Sequence, residues 1–354
     1  MAPRTPTAPT ELPGDASRNR SGEPTTRRHA PTSSGAAGQI RIAASTGDNL
    51  RELEGEIALA ELSAFLAKPD TTVWVDLTSP SPGQVQAVGA AMGLHPLIVE
   101  DVLEGNQRAK IENTDGVVHL VLFALSHGRQ FAASEIDLVL GLGFLLTVHD
   151  AGWDPRATHH LRKSLGEVMA QGPDHLLWSL SDDIVDGYFP FADELGDALD
   201  TIQDEVIGKA SSEALERLFA LKRELIEVRR AASPTREVFN QLTNRDLPLI
   251  DADELVYFRD VYDHVIRLTD ELDNYRELAS STLDVYLTQV NNNLSVIVKR
   301  LTGVTVILAG IGGMAGIFGM SEAAVEVGSF WLVAGSIVAA SAAAAVVLRW
   351  IDWI

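Results

Sequence analysis

The side chains of this chain that could do chemistry are oxygens and imidazoles: 49 Asp and Glu, 9 His and no cysteine among 354 residues. Any metal must then meet carboxylate, hydroxyl, carbonyl or imidazole, and disulfides and thiol nucleophiles are excluded. The formal net charge of -21 argues against nucleic acid, whose phosphates need a basic footprint, and makes cations the natural partners. No H-E-x-x-H, P-loop or nucleophile elbow occurs in the sequence. His159-His160 has no third ligand at a defensible spacing and reads as helix surface. Gly141-Leu142-Gly143 lacks the third glycine of a dinucleotide fingerprint and sits in a strand context. The chain reads as a non-enzyme.

A different pattern lies towards the C-terminus. Ser295, Val298, Thr302, Thr305, Ala309, Gly312, Gly316 and Gly319 recur at alternating intervals of three and four, a heptad-like stripe. It is small, partly hydroxyl-bearing and free of acids, which suits passage of a cation that keeps much of its water, as magnesium does. Gly312-x-x-x-Gly316 is equally a helix-contact motif in membranes, and on spacing alone that packing reading comes first.

The elements that must position this stripe follow from composition and period. Residues 1–38 are rich in Pro, Thr, Ser, Gly and Ala and cannot repay the entropy of folding, so they read as a disordered arm. The arm carries Arg4, Arg18, Arg27 and Arg28 but no apolar h-region, so a secretory signal is not expected and the N-terminus is placed in the cytoplasm. Residues 39–160 mix strands and helices: Thr72 to Leu77 is a β run closed by Pro80 and Pro82 before a helix from Gln84. Val117 to Leu125 and Ile136 to Val148 read as central strands. Residues 161–300 turn helical, with amphipathic segments at Leu215 to Ala231 and Leu255 to Val298. No proline follows Pro248, so the last helix can run unbroken into a membrane as a rod on the order of 100 Å.

Two uncharged runs end the chain, 20 residues from Leu301 to Met320 and 19 from Phe330 to Leu348, each long enough to cross a hydrocarbon core. Residues 301–320 and 330–349 are thus expected to be transmembrane helices, with 321–329 an external loop and 350–354 a cytoplasmic tail. Lys299, Arg300 and Arg349 flank the spans on the side that the positive-inside tendency makes cytoplasmic, and Trp331, Trp350 and Trp353 mark the interfaces. Two spans cannot enclose a pore. Several copies around a symmetry axis can.

Several ordered stretches together resemble the CorA family of magnesium and divalent-cation channels. They are Gly93-Leu94-His95-Pro96-Leu97-Ile98-Val99-Glu100-Asp101-Val102-Leu103, then Gln107-Arg108 and Lys110, and Leu146-Thr147-Val148-His149. They continue with Arg229-Arg230, Pro234, Arg236 and Glu237, and with Tyr257-Phe258-Arg259-Asp260-Val261-Tyr262-Asp263-His264. Leu283 to Leu287, Lys299 to Thr302 and Ala315 to Met320 complete the series. The resemblance implies an α/β cytoplasmic domain, long helices forming a funnel and stalk, and two C-terminal transmembrane helices in a homopentamer, the first helix lining a central pore. It implies a channel for Mg²⁺, with Co²⁺ or Ni²⁺, in a bacterial inner membrane, with lipid, divalent cations and its own copies as partners.

The resemblance also assigns residues. Gly319, Met320 and Ser321 fall where the family has Gly-Met-Asn, so a serine hydroxyl replaces the asparagine carbonyl at the selectivity loop. Ser295 and Val298 stand where many relatives have asparagine and methionine, and Gly310 where many have proline. Val298, Leu301 and Ala309 would form the apolar constriction. Glu322 and Glu326 would ring the outer mouth with charge, or simply keep a short loop solvated. Glu100, Asp101 and Asp260 match positions that bind a regulatory Mg²⁺ between neighbouring subunits. Because of Ser321, two alternatives stay open: a Zn²⁺ transporter of the ZntB kind, coupled to protons, and a non-conducting metal-sensing membrane scaffold.

Overall fold

The computed structural model describes residues 38–47, 49–105, 108–126, 132–319 and 327–351. The expected arm other than Gly38, together with Gln107, Met320, Ser321, Glu322, Glu326 and Trp353, lies outside the described residues. The first half runs β1 (Gln39–Thr46), β2 (Asn49–Glu54), α1 (Gly55–Leu66), β3 (Thr72–Thr78), α2 (Pro82–Met92), α3 (Pro96–Glu104), β4 (Lys110–Thr114), β5 (Val117–Ser126), β6 (Ala132–Gly141) and β7 (Phe144–His149). The strands form one 7-stranded sheet in the order β2-β1-β3-β7-β6-β5-β4. β3 and β7 pair in parallel, and the other neighbours are antiparallel.

The apolar run Ile136 to Val148 is therefore two strands rather than one. Gly141 pairs with Phe144 across a tight turn, and Gly143 takes φ +75°, a conformation that costs glycine nothing. Leu142 at the tip is 90% exposed. The two glycines reverse the chain, a role that apolar content alone conceals. Pro82 opens α2 two residues earlier than expected, with Ser81 and Gln84 forming a reciprocal capping box.

Alternation along the strands sends side chains to two cores. Val75, Leu77, Val139, Leu146 and Val148 face α1, α2 and α3, where Leu62, Val88, Ile98 and Val102 are buried. Trp74, Leu120, Ile136, Leu138 and Leu145 face the opposite way, against helices from the second half. On that side Asp76 Oδ1 accepts from Thr147 Oγ1 at 2.6 Å and lies 3.0 Å from His149 Nε2. Trp74 Nε1 donates to Thr147 Oγ1 at 3.1 Å, and His149 Nδ1 is 2.6 Å from the Asp150 carbonyl. Both imidazole nitrogens face acceptors. Burial lowers the pKa of His149, but the hydrogen bond and charge of Asp76 more than offset this and raise it above 6.5.

The second half is helical: α4 (His159–Gln171), α5 (Pro173–Asp186), α6 (Phe189–Gly208), α7 (Ser212–Asn244), α8 (Leu255–Gly319) and α9 (Val327–Trp350). α7 passes through Pro234 to Asn244, well beyond the amphipathic stretch legible before that proline. Leu195, Leu199 and Ile202 of α6 pack with Leu218, Leu221 and Leu225 of α7 and with Val265, Leu268 and Leu272 of α8. Gly196 makes room for the Tyr275 ring, whose hydroxyl oxygen would sit 2.7 Å from an added Cβ. This helical packing and the Trp74 face of the sheet form one continuous core. α8 is 65 residues long, about 97 Å at 1.5 Å per residue. No residue between Thr282 and Gly303 is buried, and Asn291 to Leu301 are all exposed, so the helix leaves the domain as the expected rod.

Candidate ion pathway and metal-binding sites

All eight residues of the stripe lie on α8, and the packing of α9 separates the two readings of it. On the apolar part of α8, Gly303 is buried and Ile307, Ile311 and Met314 are partly covered. They recur at three and four residues and face α9, the element in contact with this stretch. The side chains of α9 that lose exposure are Ala334, Ile337, Ser341, Ala344, Ala345 and Leu348, mostly small, as close approach of membrane helices requires. At about 100° per residue, the Gly303 face lies roughly opposite the stripe. Thr302, Thr305, Ala309, Gly312, Gly316 and Gly319 stay exposed, and beyond the adjoining residues and backbone of α8 itself no atom of the described residues lies within 4 Å of a Cβ built on Gly312, Gly316 or Gly319. Gly312-x-x-x-Gly316 is therefore not used for packing within the subunit.

The uncovered stripe presents oxygen. Ser295 Oγ donates to the Asn291 carbonyl at 2.9 Å and Thr305 Oγ1 to the Leu301 carbonyl at 2.8 Å. Each hydroxyl thereby spends its hydrogen on the helix backbone and keeps lone pairs for the water around a cation. Val298 and Leu301, 52% and 65% exposed, supply the apolar surface next to them. On a straight helix a heptad stripe drifts by about 20° per repeat. Keeping it on one axis calls for a tilted or supercoiled bundle.

The three carboxylates of the head singled out from sequence fall on two layers. Glu100 and Asp101 are on α3, whose Ile98 and Val102 belong to the α1–α3 core. Asp260 is on α8 beside Phe258 and Val261 of the opposite core. Within one subunit the sheet lies between them. Asp101 accepts from Lys110 Nζ at 2.5 Å, and Lys110 also lies 3.3 Å from Glu112. Burial lowers the Lys110 pKa, and the bonds to Asp101 and Glu112 reverse this and raise it.

Sequence reasoning missed the surroundings of Asp260. Its carboxylate is 70% exposed and 3.7 Å from His264 Nε2, while His264 Nδ1 is 3.2 Å from Asp186. Ligand atoms of Asp182, Asp186 and His264 lie within 4.8 Å of one another, a set that could hold a metal ion. Burial raises the Asp182 pKa, opposed by its bond to His160 and reinforced by Asp186. His160, expected on bare helix surface, instead bonds Asp182 at 3.0 Å and packs against Trp178. The available signal was spacing: Asp182 and Asp186, like Asp260 and His264, are i,i+4 pairs that share a helix face.

A two-sided α/β domain that feeds one long helix into an apolar helical pair defines a membrane protein with a head domain and a stalk. The chain matches the CorA-like Mg2+ transporter protein family over residues 69–351 and belongs to it. It is 33% identical over 258 residues, 71% of this chain and 73% of the relative, to the cobalt/magnesium transport protein CorA of Thermotoga maritima. Its fold matches the complete structure of the CorA magnesium transporter from Methanocaldococcus jannaschii with a TM-score of 0.74, at 22% identity, covering 89% of this chain and 99% of that one. The full-length CmaX protein matches with a TM-score of 0.69 at 17% identity, over 90% of this chain and all (100%) of that one.

Proposed function

We propose that this chain forms a passive, gated channel for hydrated divalent cations, Mg²⁺ first and Co²⁺ or Ni²⁺ with it, as a homopentamer in a bacterial inner membrane with both termini in the cytoplasm. The observation that carries the proposal is the division of α8 into two faces. α9 covers the Gly303, Ile307, Ile311 and Met314 face, and the hydroxyl and glycine stripe is left for other copies of the chain or for an ion. Charge assists: a membrane potential supplies about 2.3 kcal/mol per elementary charge per 100 mV, twice that for a divalent ion. In proteoliposomes, Mg²⁺ and Co²⁺ entry is expected with no pH gradient imposed. Entry of neither ion would overturn the channel, and Zn²⁺ entry that demands a proton gradient would replace it with a proton-coupled zinc transporter.

Glu100, Asp101 and Asp260 are proposed as regulatory ligands, and what supports their acting between subunits is their placement on opposite layers of one subunit. Metal bridges would hold the heads together, and their loss would leave carboxylates repelling one another, a two-state element biased by ligand. Mg²⁺ is expected to slow proteolysis of the wild-type head at least several-fold, and Asp260→Ala to lose most of that protection. Equal protection in the variant would remove Asp260 from the site.

A further inference from the structure

A second cluster of ligand-type side chains lies under α3, away from Asp260. Glu112 on β4 pairs directly with His119 on β5, and ligand atoms of Asp101, Glu112 and His119 lie within 4.8 Å of one another. His119 is 1% exposed. Its Nε2 is 2.8 Å from Asp137 Oδ1 on β6, and Asp137 is itself buried. A carboxylate accepting at Nε2 favours the tautomer whose hydrogen is on Nε2 and whose lone pair is on Nδ1. Nδ1 is buried and has no hydrogen-bond partner among the described residues. An unpaired lone pair in a buried ring calls for a ligand.

We propose that Asp101, Glu112 and His119 Nδ1 form a divalent metal site within one subunit, selective for a borderline ion such as Co²⁺, Ni²⁺ or Zn²⁺ over Mg²⁺. Asp137 takes the part that a carboxylate plays behind a metal-ligating imidazole, fixing tautomer and ring orientation. Imidazole favours later transition metals, while Mg²⁺ prefers oxygen and water. Glu112 is 51% exposed, so the site opens to solvent and water can fill the remaining positions. The seat is held by an internal cation: the Lys110 ammonium contacts both Asp101 and Glu112. A metal must displace it, so Lys110 sets the affinity by competition.

The site does not rest on ion conduction. It also uses Asp101 without Asp260, which separates it from the bridge between subunits. The test is a Co²⁺ titration of the full-length protein in detergent, followed by visible absorption. Lys110→Met is expected to tighten Co²⁺ binding at least tenfold, and Glu112→Gln to weaken it at least tenfold. His119→Gln is expected to convert the spectrum to that of an all-oxygen octahedral ion. Asp260→Ala and a tenfold excess of Mg²⁺ should leave the signal in place. Lys110→Met and Glu112→Gln isotherms that both superimpose on wild type would overturn the proposal, as would loss of the signal in Asp260→Ala. The first pair of variants alters part-exposed side chains and keeps the test decisive even if His119→Gln fails to fold.

Discussion

Asp76→Ala is expected to destabilise the α/β head by about 3–5 kcal/mol, the usual cost of stripping one partner from a buried ion pair. Asp76 and His149 are each 1% exposed, and the His149 ring has acceptors at both nitrogens. The folded state therefore favours the charged imidazole, with Asp76 as counter-ion. The sign of the pH dependence follows. A pKa raised above 6.5 gives a stabilisation that is fully present below about pH 6.5 and is lost as pH rises through the folded value. The deficit of Asp76→Ala should accordingly be larger at pH 6 than at pH 9, because burial then penalises an unpaired charge. Urea denaturation of the full-length protein at both pH values measures it, with Trp74 and Trp153 as fluorescent reporters close to the pair. A loss below about 1 kcal/mol at pH 6 would sink the ion-pair account.

Thr302→Lys is expected to cut Mg²⁺ entry by more than tenfold, while Thr302→Ser retains it. Thr302 is exposed on the face of α8 that α9 leaves open, and a symmetric assembly repeats the substitution around the axis. At an effective dielectric of about 20 and a separation of roughly 8 Å, each ammonium repels a divalent ion by about 4 kcal/mol. About 1.4 kcal/mol already makes a factor of ten. A dye-based influx assay in proteoliposomes reads the effect, with the oligomeric state checked by size-exclusion chromatography. Undiminished entry in a correctly assembled Thr302→Lys protein would show that the stripe does not face the ion.

The residues most exposed to sequence logic were those whose role is local. The β run from Thr72 and the long helix from Leu255 are each set by period and branching within a dozen neighbours. Elsewhere the local signal is ambiguous. Ile136 to Val148 is apolar throughout, and continuous apolarity does not reveal a chain reversal at Leu142-Gly143. Pro234 hid the last third of α7, because tertiary packing on α6 and α8 outweighs the cost of one proline in a 33-residue helix.

By itself, then, the sequence determined the apolar lengths that end the chain, the unbroken rod that leads into them, and the small-residue stripe along that rod. These are properties of neighbours three, four and seven residues apart. Only the tertiary structure decided which face of the rod α9 covers, and hence that Gly312 and Gly316 remain open while Gly303 is buried. It alone set Asp101 and Asp260 on opposite layers, joined Asp76 to His149 across 73 positions, and brought the buried His119 ring beside two carboxylates. The physical reason is common to all of these. Contacts between distant segments are fixed by how whole faces pack, and the spacing of residues along one segment says which face is apolar but not what comes to rest against it.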